Sequence, residues 1–183
     1  MSLRRAVLAS VFVLVVAGIV VAVAPAGPAG AVRAETASHP AVRVSIPRTY
    51  DAALAHFRNA PGVVRKLKRL VLPSGNIYCA VKVSGLPTGC EISEGAIKDL
   101  DACADNPVSK YVGRIEFHGG HAVPVCNTDT IRAPGAQTLK YGDIARKGGF
   151  ACLSEAIGVT CINLNEADGF FLHRGEYVTF NAG

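Results

Sequence analysis

Residues 150–163 read FACLSEAIGVTCIN, two short β-prone runs joined by SEAIG. Side chains two apart in a strand point to the same face, so Phe150 joins Cys152 on one face and Val159 joins Cys161 on another. The connection contains Gly158 and is short enough for neighbouring antiparallel strands. The stretch therefore predicts a hairpin closed by a Cys152–Cys161 bond.

Residues 72–92, LPSGNIYCAVKVSGLPTGCEI, repeat the arrangement. PSGN turns the chain; Ile77, Cys79, Val81 and Val83 share a face, and Cys90 shares one with Ile92. A Cys79–Cys90 bond follows across SGLPTG. Gly75 and Gly148 each stand four residues before the first cysteine of a pair, with an apolar residue two before it, a faint internal echo that suggests two similar hairpins facing each other. Cys103–Cys126 is left by elimination. No two cysteines have the close spacing of a zinc knuckle or a C-x-x-C redox pair. Each of the two short loops is worth about 3 kcal/mol in the chain-entropy picture.

The chain has 183 residues, room for one ordinary domain. Arg4 and Arg5 precede an uninterrupted apolar run over residues 6–24, then PAGPAGAVRAE with small residues at Ala31 and Ala34. That pattern predicts an export signal over 1–31, and hence a secreted or extracytoplasmic protein. The run is also long enough to cross a bilayer, so an uncleaved membrane anchor is the alternative. Residues 32–48 read as a flexible stalk, 49–183 as a single disulfide-stabilised domain, and 70–180 as its β-rich core. Without residues 1–31 the chain holds 17 basic and 14 acidic side chains, a net charge of +3. This bias is too small to imply a nucleic-acid partner, and membrane contact is expected only through the N-terminal segment.

TYDAALAHFRNA, residues 49–60, carries Thr49 or Asp51 as a possible N-cap and meets Pro61-Gly62 at its end, which predicts one short helix. From Leu70 the chain is a succession of short β-prone runs broken by Gly, Pro, Asn and Asp: NIYCAVKV, GCEI, YVGRIEF, HAVPVC, QTLKY, GFACL, GVTCINL, GFFLHR and EYVTF. The fold expected is mainly β, a small disulfide-stapled antiparallel sandwich or barrel-like domain with one short N-terminal helix. Residues 95–110 are the exception, with a helical turn expected around Cys103.

With PSGNIYCA, GCEI, CNTDTI, LKYGD, CLSEAIGVTCIN and GFFLHRGEY in view, residues 70–180 resemble a family of secreted six-cysteine domains of unknown function from actinobacteria. The resemblance implies an exported, disulfide-stapled domain and brings no activity, cofactor or catalytic residue. Where that family has a Gly-His-Gly-Phe word, this chain has ADGF with Asp168 in the histidine's place, and it lacks the family's tryptophan after Cys103.

Candidate chemistry is sparse. HGGH places His118 and His121 on either side of a Gly-Gly turn as a cross-strand pair, the weak candidates for a metal, although zinc needs a third protein ligand. Ser74, Ser93 and Ser154 lack a nucleophile-elbow context. Glu91, Glu94, Glu155, Glu166 and Asp168 are the carboxylates a wall hydrolase would pair. No catalytic residue and no cofactor is implied. Phe170, Phe171, Tyr177 and Phe180 read as a closing core hairpin rather than a ligand surface. PGVVRKLKRLVL, residues 61–72, holds the dense basic run Arg65, Lys66, Lys68 and Arg69. It reads either as an anion-binding or membrane-surface element, or as a solvated helix face or lead-in to the first strand. The reading that results is a non-enzymatic binding or structural module whose partner is a cell-envelope component or an extracellular protein. The alternative is a small extracellular hydrolase acting on envelope material, which would require His118, His121, His173 and carboxylates to converge in one pocket.

Overall fold

The computed structural model describes residues 45–183. The expected export segment 1–31 and most of the 32–48 stalk lie outside the described residues.

Helix α1 (Tyr50–Asn59) is followed by strands β1 (Val64–Arg65), β2 (Arg69–Val71), β3 (Ile77–Ala80), β4 (Gly89–Ile92), β5 (Ile97–Lys98), β6 (Tyr111–His118) and β7 (His121–Cys126). After them come β8 (Gln137–Thr138), β9 (Ile144–Lys147), β10 (Phe150–Glu155), β11 (Gly158–Asn163), β12 (Asp168–His173) and β13 (Glu176–Asn181). One sheet has the order β1-β9-β10-β11-β12-β13; the other runs β5-β6-β4-β3-β2-β8, with β7 paired to β6. The fold is mainly β, and its two sheets form a sandwich that does not close into a barrel. Pairing is antiparallel except for two short parallel pairs, β1 with β9 and β2 with β8.

Alternation along the strands fills the space between the sheets. Leu70, Ile77, Cys79, Cys90 and Ile115 from one sheet pack with Cys152, Val159, Cys161, Phe170 and Leu172 from the other. Phe117 meets Phe150 edge-on at 5.0 Å and Phe170 at 5.3 Å between ring centres. The expected closing hairpin is β12–β13, with Phe170, Phe171 and Phe180 buried.

All three disulfides join the pairs read from the sequence. Cys79 stands opposite Cys90 and Cys152 opposite Cys161, each pair with Cα atoms 4.0 Å apart, as at the narrow pairs of an antiparallel ladder. The two hairpins do face each other: Cys90 Sγ lies 3.4 Å from Cys161 Sγ. Cys103–Cys126 instead ties a turn to the end of β7; Cys103 N–H donates to Asp99 O at 3.2 Å, closing the helical turn expected there.

The outer face of the six-stranded sheet is covered by α1. Thr49 Oγ1 accepts from Ala52 N–H at 3.2 Å, capping the helix, and Pro61 follows its end. Tyr50 and Ala53 are buried against Ala151, Ile162, Phe171 and Phe180. Ile46 joins that layer and Pro47 is buried, so the last residues of the expected stalk lie on the body.

The basic run is extended rather than helical. β1 belongs to one sheet and β2 to the other, and Leu67 between them packs into the core. The chain thus changes sheets within a few residues, and hydrophobic periodicity has no room to show itself.

Candidate functional site

The change of sheet splits the four basic candidates. Arg65 Nε donates to Asp143 Oδ2 at 2.7 Å, and Val63 N–H donates to Asp143 Oδ1 at 3.0 Å. These contacts, the Val63 amide first, hold the Asp143 carboxyl below its ordinary range. Arg65 is therefore spent on structure. Arg69 stands opposite Ala80 in β2–β3, whereas Leu70 and Cys79 face the core, so Arg69 points to the outer face of the other sheet.

Lys66 and Lys68 remain together. They line a groove of about 490 Å³ with Val64, Arg146, Lys147 and Gly148. Its far wall is β9, which turns into β10 through Gly148-Gly149; Gly148 has φ +59°, the left-handed conformation that suits glycine. Four cations and no carboxylate line this groove. The neighbouring Lys68 ammonium first, and then desolvation, lowers the Lys147 pKa. Lys82 lies beside Gly148, its ammonium 5.0 Å from the Phe150 ring centre. Like charges held this close are a net repulsion that a bound anion relieves.

Two other clefts differ in their charge balance. One of about 570 Å³ is lined by Glu91, Arg114, Arg132 and the 127–130 stretch of the CNTDTI word. Arg132 Nε donates to Glu91 Oε1 at 3.1 Å, and Arg114 pairs with Glu116 and, at 3.7 Å, with Asp129. Glu91 Oε2 also accepts from Ile131 N–H at 2.8 Å. This cleft neutralises itself. A smaller one of about 330 Å³ is lined by Ser74, Glu94, Glu155, His173 and Arg174 among others. Glu155 is engaged there by His56 Nδ1 at 2.9 Å and Thr160 Oγ1 at 3.0 Å.

His118 and His121 do stand opposite one another across Gly119-Gly120. Their rings turn to separate carboxylates: His118 Nε2 to Glu116 Oε2 at 2.8 Å, and His121 Nδ1 to Asp168 Oδ2 at 3.0 Å. Asp168 also accepts from Ala122 N–H at 2.8 Å, so this carboxylate fastens β12 to β7. His173 stands at the far end of β12, roughly 17 Å along the strand from Asp168. The three histidines therefore do not converge. Ser154 is fully buried, and Ser74 Oγ accepts from Asn76 N–H within its turn. Among the described residues, the group whose potential ligand atoms gather within 4.8 Å is Cys79, Cys90 and Cys161, all held in disulfides and so without a thiolate to offer.

Of the four cations that line this groove, the sequence reading named Lys66 and Lys68 and did not name Arg146 and Lys147. The available signal was RKGGF, a Gly-Gly turn of the same kind as the one in HGGH. Fold and site together define a disulfide-stapled β-sandwich with a cationic groove at one edge. Comparison with protein-family models, curated proteins and solved structures found no match.

Proposed function

We propose that this chain is an extracytoplasmic, non-enzymatic binding module that engages an anionic component of the cell envelope through the groove of Lys66, Lys68, Arg146 and Lys147. The observation that carries this reading is the gathering of four cations from two chain segments with no lining carboxylate. Arg65 and Arg132 answer to carboxylates, whereas in the groove Lys68 and Lys147 face each other. Three disulfides accord with an oxidising environment, and the apolar run at residues 6–24 supports export. Membership of the secreted six-cysteine family is part of the same proposal and rests on the words quoted above.

The test is titration of the oxidised chain with inorganic polyphosphate at low and high salt. Binding is expected to weaken steeply with salt, and K66E/K68E/R146E/K147E is expected to weaken it at least about tenfold. R58E/K98E/K140E/R174E, at four exposed cations outside the groove, serves as the charge-matched control. Equal losses in the groove variant and the control would overturn the groove as the site.

A further inference from the structure

Resting on that anion-binding reading, we propose that the anion is the headgroup layer of an anionic phospholipid membrane, with Val63 and Val64 as the apolar contact beside it. Val63 is 55% exposed and Val64 is 62% exposed, among the most exposed large hydrophobic residues of the body. Val64 lines the cationic groove itself, and Val63 precedes it directly. A soluble polyanion has no use for these side chains. A lipid interface takes both: the cations meet phosphates while the valines enter the boundary between headgroups and acyl chains.

The local backbone supports this. β1 is a two-residue strand at the sheet edge that, among the described residues, pairs with β9 alone. Val63 N–H and Arg65 are both fixed by Asp143, which holds the valines out on a pinned segment rather than a loose one. Lys66 and Lys68 follow within reach of the same surface, with aliphatic stems that accompany the valines and ammonium groups that reach phosphate. Each cation near an anionic surface contributes roughly fivefold in affinity, so the contact is weak alone and strongly salt-dependent. In the anchored form, with the run at 6–24 uncleaved, the tether holds the body at the surface and a weak contact suffices. The proposal thereby extends membrane contact beyond the N-terminal segment.

The experiment is hydrogen exchange on the full oxidised chain with vesicles of phosphatidylcholine alone, then with vesicles of equal parts phosphatidylglycerol and phosphatidylcholine. Local readout separates the groove from any effect of the N-terminal run. Amides of residues 63–68 and 145–148 are expected to slow only with the anionic vesicles. V63S/V64S is expected to lose about tenfold in affinity for those vesicles while keeping its affinity for polyphosphate, whereas K68E/K147E loses both. Polyphosphate binding together with unchanged exchange on anionic vesicles would overturn the lipid assignment and leave the anion site standing. Failure to bind either probe would overturn both.

Discussion

In β10–β11 six residue pairs are in register and only Ala156 and Ile157 form the turn, whereas β3–β4 holds four pairs and an intervening stretch from Val81 to Thr88. Both hairpins place a cystine on the inner face, yet their outer faces are closed by different means. Behind β10–β11 lies α1, which satisfies its own backbone and packs on Ala151, Ile162 and Phe171, with one polar contact from its His56 to Glu155 at the turn end of the hairpin. Behind β3–β4, residues from Ile131 to Ala136 pack on Tyr78 and Ala80 without regular structure. Irregular backbone cannot satisfy itself, and the buried carboxylate of Glu91 takes the Ile131 N–H along with Thr130 Oγ1 and Arg132. A helical cover asks the sheet face for nothing on behalf of its backbone, whereas an irregular cover needs a polar group of that face to satisfy its own N–H.

The largest effect should come from removing either inner staple. C79A/C90A and C152A/C161A should each cost about 3 kcal/mol in urea unfolding, because they open loops of similar length. A marked inequality would show that the covers rather than the staples set the stability of each hairpin. Next comes Glu91→Ala, expected to cost about 2 kcal/mol and to speed amide exchange at Ile131 while leaving α1 untouched. If Ile131 stays protected, the carboxylate is not what pins the irregular cover. The smallest effect is acid sensitivity at the sheet-switching corner. Asp143 has a folded pKa below its unfolded one, so its contribution is present above about pH 4 and is lost as pH falls through the folded value. Asp99 behaves likewise, held low first by the hydrogen bond from Tyr177. The thermal midpoint should drop on acidification, and D143N should show a shallower drop; identical pH profiles would remove the corner from this account.

The hairpins were legible because alternation, glycine-bounded turns and paired cysteines all give the same answer. Thr49 was legible as a cap for the same reason, a local rule acting locally. β9 was not: Ile144 and Ala145 are its only apolar residues, too few to register as a run, and its place is set by pairing with β10. The basic run misled for a related reason. Val63, Leu67 and Leu70 match a helical stripe in spacing, but Leu67 and Leu70 reach the core from a chain that crosses between sheets. As a result, sequence placed four neighbours in one patch, whereas the fold sends Arg65 and Arg69 elsewhere and recruits Arg146 and Lys147 from residues far along the chain. Proximity across a sheet edge is a tertiary fact, and no window of sequence contains it.

The meeting of the two cystines also bears on how the chain reaches its native pairing. Cys79, Cys90 and Cys161 have sulfurs within 4.8 Å of one another, so the native arrangement brings a wrong partner almost as near as the right one. A thiolate left at Cys90 in a half-oxidised chain has Cys161 close at hand, and that bond would join the two sheets instead of closing a hairpin. Pairing closed while each hairpin is still a local loop avoids that competition. The short spans between partners make that order kinetically natural. The sulfur stack at the centre of the sandwich thus sets two hairpin staples within exchange distance of one another, and makes fidelity of pairing a matter of when the sheets meet.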